Sequence, residues 1–392
     1  VTRHPRAVAD PRHLRILPHT NSSKKSPSFV KVTTYLRLLL PGLLIASALL
    51  SSCIDEIELG QGAPLPEGIV LQGRINVEDT ISDVRITLEE LFRFENSNRP
   101  DRIVTATVRL VNEDEQSIVL PFRQGAYVAS LVNDDPSFTI REGMSFRVEV
   151  ETREGLQFTS RAETLPPKLE VERAYWAPGL ATIINAIGET QEVPGVQYFV
   201  DAPLRYPDGS SAYLRWTLEE TYQQTDESRD TITGIKTCYV TLPFEARNLR
   251  LSGDINENVS RIERFDLGTN RISFRYGEGH YMTVRQEALS RDAFEYFDQI
   301  ASIASTELSI FEPPGGPVVG NVFDVNGEID NVFGYFYVAR QSVARVPVRP
   351  EEVGNPTLAC PLNAMMPPPV NRCTDCLSVD GATTIRPPWW EL

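Results

Sequence analysis

From Ile69 onward the chain alternates apolar and polar residues with a period of two. In Ser145–Glu151, Phe146, Val148 and Val150 fall on one face, with Arg147 and Glu149 on the other. Thr105–Val111 repeats the pattern, and Ile69–Ile75 mixes apolar and polar residues in a strand-like run. Such alternation buries one face of a strand and wets the other. Turn signals separate the runs at Asn112–Glu115, Gln124–Gly125, Asn133–Pro136, Glu142–Gly143 and Glu154–Gly155. Short strands at this spacing predict a β-sandwich over residues 68–166, closing at Leu165-Pro166-Pro167.

The pattern continues through residues 167–392. Val196–Val200 and Ala212–Tyr222 read as strands, with the turn signal Pro207-Asp208-Gly209 between them. Further strands are predicted over Thr237–Leu242, Arg271–Tyr276, Tyr281–Gln286, Gly320–Val325 and Gly334–Arg340. One helix is predicted over about 290–305: Ser290 is a good N-cap, Asp292 lies in the first turn, and Ala293, Phe294, Phe297, Ile300 and Ala301 fall at helical spacing. From Pro350 the chain is irregular and Pro-rich, and no internal repeat is present. The reading is mainly β, with two β-sandwich-like domains. The first is similar to the immunoglobulin-like or transthyretin-like modules of exported proteins, and the second carries the helix.

The N-terminal region has a different character. Lys24, Lys25, Lys31 and Arg37 precede an apolar run, Leu38–Leu50, which ends in Ser51-Ser52-Cys53. A basic flank, a short apolar segment and small residues before a cleavage point make a secretory signal peptide. The run has 13 residues, against the roughly 18 of a transmembrane helix. Leu50-Ser51-Ser52-Cys53 matches a bacterial lipobox, in which the cysteine is lipidated and becomes the mature N-terminus. Residues 1–52 are therefore read as the signal-peptide region. Residues 1–23 look unlike a signal n-region, which points to a misassigned start. Residues 53–67 read as a lipidated tether, acidic and then Gly/Pro-containing.

Charge narrows the function classes. The chain has 38 Lys+Arg and 53 Asp+Glu. After residue 52 the formal charge is near −22, because the presequence holds 8 of the basic residues and one acidic residue. Such a surface repels nucleic acid and anionic membranes, which leaves membrane attachment to the lipid. Lys168 and Lys236 are the only lysines after Cys53. The remaining cysteines, Cys238, Cys360, Cys373 and Cys376, suggest disulfides in an exported chain. Four cysteines allow three connectivities; Cys360–Cys373 with Cys238–Cys376 is the favoured one. Cys373-Thr-Asp-Cys376 also has redox or half-zinc spacing, but it lies in a Pro-rich tail, and His280 is the only histidine after residue 52.

The same scarcity argues against a Ser/His/Asp triad, which needs a histidine as base. There is no Gly-x-Ser-x-Gly, His-Glu-x-x-His or phosphate-loop motif. Asp324-x-Asn326-x-Glu328-x-Asp330 spaces oxygen ligands as calcium would want, but it lacks the glycine and glutamate placement of an EF-hand and reads as a solvated turn. Tyr175-Trp176, Trp389-Trp390 and Tyr335-Phe336-Tyr337 are candidates for stacking on a sugar or partner; core packing is the favoured reading. No catalytic residue, metal or cofactor is expected.

Leu289-Ser290-Arg291-Asp292-Ala293-Phe294, then Gly320-Asn321 and Val332-Phe-Gly334-Tyr335-Phe336, follow a known order. With Tyr213-Leu-Arg215-Trp216, Cys238-Tyr239 and the ending Pro387-Pro388-Trp389, the chain resembles the Bacteroidota lipoprotein family called domain of unknown function 4249. The resemblance covers most of 54–392. It implies an outer-membrane lipoprotein, often encoded beside TonB-dependent receptors, with no established activity. Asp55, Glu56 and Glu58 are similar to the export signal that sends such lipoproteins to the cell surface. The expected function is ligand capture as the accessory of a TonB-dependent receptor. A structural or adhesion lipoprotein is the alternative, followed by a hydrolase built on carboxylates.

Overall fold

The computed structural model describes residues 68–91, 101–227, 234–244, 249–253, 259–305, 318–360 and 371–392, which are mainly β. β1 (Gly68–Val77) and β2 (Ile81–Glu90) form an antiparallel hairpin. β3 (Thr107–Asn112) pairs with β4 (Ser117–Leu120). β5 (Phe122–Arg123) and β6 (Ala126–Val132) return the chain to β2. β7 (Ser145–Glu151) lies beside β3 and pairs with β8 (Gln157–Ser160) and β9 (Glu163–Thr164).

β10 (Arg173–Ile184) and β11 (Thr190–Pro203) form a long hairpin. β12 (Tyr213–Thr225) then pairs with both β13 (Thr237–Pro243) and β14 (Arg250–Gly253). β15 (Arg261–Arg271) joins β11, and β16 (His280–Leu289) joins β12. Helix α1 (Arg291–Ser305) follows, then β17 (Val322–Asp324) beside β8, and β18 (Asn331–Val348). The tail contains the short helix α2 (Asn371–Thr374) and β19 (Ala382–Thr383), which pairs with β13.

β18 joins the two halves of the molecule. Residues 331–340 run parallel to β1, from Asn331 opposite Gly68 to Arg340 opposite Val77. Residues 340–348 run antiparallel to β16, ending with Val348 opposite His280. One sheet therefore extends in the order β19-β13-β12-β16-β18-β1-β2-β6-β5. The even-numbered residues of β18 supply two cores. Phe336 and Val338 join Leu71, Ile86, Leu110 and Phe146 under the sheet formed by β17, β8, β7, β3 and β4. Val346 and Val348 join Tyr198, Leu214, Trp216 and Val284 under β10, β11 and β15.

The Leu165–Leu169 segment takes the chain across the line between the first core and the second. The chain later recrosses it, because β17 and the first half of β18 complete the first sandwich. Gly334 makes this return possible. Its φ is +104°, and a Cβ there would lie 1.8 Å from the carbonyl oxygen of Leu71. Any side chain would push β18 off β1.

Most predicted elements lie where the alternation put them. Arg271–Tyr276 is a correction: β15 ends at Arg271, and Phe274–Tyr276 is a 3-10 turn. Ile272, Phe274 and Tyr276 alternate like a strand, but here the chain leaves the β11–β15 sheet for the large sheet, and a crossing segment has no strand to pair with. α1 starts as expected. The Ser290 hydroxyl accepts the Ala293 amide at 3.1 Å, which satisfies one of the helix's free N–H groups.

The second core encloses a polar network at the start of β16. His280 is fully buried; its Nε2 lies 3.2 Å from Glu220 Oε2, and its Nδ1 lies 3.5 Å from the Tyr198 hydroxyl. Asn270 donates to the same carboxylate at 2.8 Å, and Arg275 pairs with its other oxygen. With Nε2–H donating to the carboxylate, Nδ1 is left to accept from Tyr198. Burial lowers the His280 pKa and Arg275 adds to this, against the pull of Glu220. Burial alone would raise Glu220, but His280, Arg275 and Asn270 outweigh it and hold the carboxyl below its usual range.

The tail is tied down by covalent bonds. Cys238 pairs with Cys376 and Cys360 with Cys373, the favoured connectivity. Trp390 packs edge-on against Tyr239 at 5.1 Å and lies 4.9 Å from Tyr281, so the terminal tryptophans cover the outer end of β13 and β16.

Two measurements follow from these groups. The unfolded chain protonates His280 near its ordinary value of about 6.5, whereas the folded chain holds it neutral to lower pH. Its contribution is therefore present above about 6.5 and is lost as pH falls. Thermal midpoints should drop between pH 7 and 5, and the His280→Gln variant should show a shallower drop across that window; equal slopes would refute the assignment. For the disulfides, the pairs close loops with separations of 138 and 13 residues. On the chain-entropy model, Cys376→Ala should cost roughly 5 kcal/mol and Cys373→Ala about 3. Urea titration of the two variants checks the order.

Candidate functional site

The odd-numbered residues at the start of β18 face away from both cores. Tyr335, Tyr337 and Ala339 form a third buried cluster with Leu289, Ala293 and Phe294. The apolar stripe of α1 lies over this face and covers those rings. Phe294 approaches Tyr213 at 5.3 Å between centroids, Tyr296 stacks on Tyr335 at 4.4 Å, and Phe297 meets Tyr337 edge-on at 5.1 Å. Each such pair adds about 0.5–1.5 kcal/mol beyond the area it buries.

Two buried polar groups fix the helix to the sheet. Arg215 on β12 stands opposite Glu287 on β16, and its Nε donates to Glu287 Oε2 at 2.7 Å. The same guanidinium donates to the Tyr337 hydroxyl and lies 4.0 Å from the Phe297 ring centroid. Burial alone would discharge Arg215, but the Glu287 carboxylate outweighs it and keeps the guanidinium charged. On the other side, Glu163 accepts from the Ser290 hydroxyl at 2.6 Å, from the Tyr335 hydroxyl at 2.6 Å and from Asn321 Nδ2 at 3.4 Å. Burial pushes its pKa up in spite of these donors. Asn321 also clasps the backbone of Phe336, donating to its carbonyl at 2.7 Å and accepting its amide at 2.8 Å.

Between α1 and the open face of β1 and β2 lies a groove of about 410 Å³, walled by Tyr296, Phe297 and Tyr337 and floored by Arg74 and Arg85. Arg215 closes its inner end. Beyond the Tyr296–Tyr335 stack is a second recess of about 310 Å³, lined by Glu163, Asp292, Glu295 and Asn321 with Arg161. The ring pair thus divides a basic groove from an acidic one. The groove sets guanidinium donors beside ring faces on one side of that stack. Among the described residues, no histidine lines either cavity.

The residues singled out by sequence are placed as follows. Cys53 and the acidic Asp55, Glu56 and Glu58 lie outside the described residues. The four other cysteines are paired near the tail. Asp324 accepts amides from Asn326, Glu328 and Ile329, so its carboxylate is engaged by its own turn. Among the described residues, no group of three His, Cys, Asp or Glu is placed to hold a metal, and no helix is long and apolar enough to cross a membrane. Arg74, Arg85 and Glu163 escaped the sequence reading. A hairpin centred on Asp79-Thr80 would have set Arg74 opposite Arg85, because they stand equally far from the turn; Glu163 carries no local signal.

Replacing Arg215 with methionine leaves Glu287 buried without a partner and should cost about 3–5 kcal/mol. Adding Glu287→Leu should recover most of that loss, since well-packed apolar groups often match a buried pair. Urea denaturation of the single and double variants checks both steps.

Comparison with known families supports the family that the sequence resembles. Residues 56–345 match the family described as Domain of unknown function (DUF4249). No curated protein and no solved structure matched the chain. The matched range includes the residues that build the joint between α1 and β18, namely Arg215, Ser290, Asn321, Gly334 and Tyr335, and the chain belongs to the DUF4249 family.

Proposed function

We propose that this protein is a lipid-anchored outer-membrane lipoprotein of the cell surface that captures a ligand in the groove beside α1 and acts as accessory to a TonB-dependent receptor. The observation that carries the binding role is the groove itself. Its walls are held by a buried ion pair and stacked rings, so it is formed before any ligand arrives. A preformed concavity lined by rings and a few placed polar groups is the usual form of a small-molecule site. Catalysis has less support, because His280 is enclosed in the second core and engaged by Glu220 and Tyr198.

The anchor and the partner have separate support. Leu50-Ser51-Ser52-Cys53 is the lipidation signal, and Asp55, Glu56 and Glu58 fit surface export. Lipid contributes about 0.8 kcal/mol per buried CH₂, so several acyl chains hold a strongly acidic body at the membrane. The 14 residues from Ile54 to Glu67 reach at most roughly 50 Å, enough to dock on a neighbouring barrel. The β10–β11 hairpin offers a contact surface: Leu180, Ile184 and Ile187 are 61%, 68% and 78% exposed. Exposed apolar patches of this kind mark protein contacts.

Cys53→Ala should release the protein from membranes or leave it unprocessed. Mild-detergent pull-down from native cells should recover a TonB-dependent receptor, and Ile184→Asp with Ile187→Asp should weaken that recovery. Recovery of the lipoprotein alone, with receptor function intact in a deletion strain, would replace this reading with a spacer or adhesin.

A further inference from the structure

We infer that the groove is a site for an oxyanion, a carboxylate, sulfate or phosphate, carried on a small ring-bearing molecule. The inference rests on reading the groove as the ligand site and names the chemistry of what it takes.

Arg74 and Arg85 stand directly opposite each other on β1 and β2. Their neighbours Ile75, Val84 and Ile86 are in the first core, so both guanidinium groups are sent to the open face. Side chains in such register have Cβ atoms about 5 Å apart, and like charges there are destabilising. Among the described residues neither arginine forms an ion pair, although Asp83 shares their face two residues from Arg85. Several arginines on or beside the large sheet are paired, Arg102 with Glu89, Arg215 with Glu287, Arg285 with Glu219 and Arg340 with Asp79, whereas Arg345 on β18 lies over the Trp389 ring. A single unpaired surface arginine would mean little. Two in direct opposition are a cost that a bound anion would reverse.

The rest of the lining agrees. In a chain with 53 acidic residues against 38 basic ones, no Asp or Glu lines this groove among the described residues. Of the other carboxylates around it, Glu287 is taken by Arg215, Glu163, Asp292 and Glu295 lie beyond the Tyr296–Tyr335 stack, and Asp83 lies further along β2 and does not line the groove. Guanidinium forks match planar and tetrahedral oxyanions with paired hydrogen bonds. Gln72 and Thr87 add neutral polar groups beside them, and the partly open Tyr296 and Phe297 offer ring surface for an apolar or sugar-like body. A volume of about 410 Å³ admits a body of one or two rings.

The test uses the detergent-solubilised mature lipoprotein and calorimetric titration with galacturonate, glucose 6-sulfate, glucose 6-phosphate, inorganic sulfate, inorganic phosphate and glucose. At least one charged sugar should bind tenfold or more tightly than glucose and than the matching inorganic ion. Its identity assigns the oxyanion. Arg74→Gln and Arg85→Gln should each weaken it by tenfold or more, and each should raise the thermal midpoint of the ligand-free protein by relieving the like-charge opposition. Binding that is unchanged in both variants, or no preference for charge, would overturn the inference. Inorganic sulfate or phosphate binding as tightly as its sugar ester would overturn the ring-bearing part. Charged-sugar binding without a recovered receptor removes the receptor partner and leaves the inference standing; a recovered receptor without anion binding does the reverse.

Discussion

The double pairing of β18 is the constraint on which the rest of the structure depends. A strand parallel to β1 along its first half and antiparallel to β16 along its second cannot slip by one residue in either half alone. A slip would exchange Phe336 and Val338 for Tyr335 and Tyr337 in the first core, because the side-chain period of a strand is two. The same register sets the helix side. It presents Tyr335 and Tyr337 to α1 and places Tyr337 beside Arg74, so the core of one sandwich and the wall of the groove are fixed together.

The polar groups under α1 add specificity more clearly than stability. A buried ion pair can cost as much to desolvate as it returns in attraction. Arg215 and Glu287 gain by using several contacts at once: each other, the Tyr337 hydroxyl and the face of Phe297. An apolar replacement could hold α1 on the sheet, but it would not dictate which turn of the helix sits over which strand. Ser290 serves the same end at the helix start, capping α1 while donating to Glu163. The joint therefore specifies one position for the wall of the groove.

Local elements were legible in the sequence, and their assembly was not. Phe146, Val148 and Val150 declared β7, and Ser290 declared the start of α1, because periodicity and capping are local. The crossing at 271–276 imitated a strand, because alternation records which residues are buried and says nothing of whether a partner strand is present. Pairing of β18 with both β1 and β16 spans most of the chain, and no local pattern encodes it. The candidate groove shares that limit. Arg74 and Arg85 lie on strands whose alternation is plain, but α1, which makes their surface a groove, comes from a distant segment. The cysteine pairs are the exception, since few cysteines leave few choices.

The charge distribution constrains how such a groove would work. At long range the acidic surface repels an anion, so the groove cannot draw one in by the field of the whole protein. At physiological ionic strength that field is screened beyond about 8 Å, whereas the guanidinium pair acts within hydrogen-bond range. Capture then depends on short contacts, first the forks of Arg74 and Arg85 and then the rings of Tyr296 and Phe297. A site of this kind discriminates by fit at the last few ångströms and gains little encounter rate from electrostatic steering. Such a balance suits a body held at a surface, where tethering supplies the nearness to a partner that long-range attraction would otherwise have to provide.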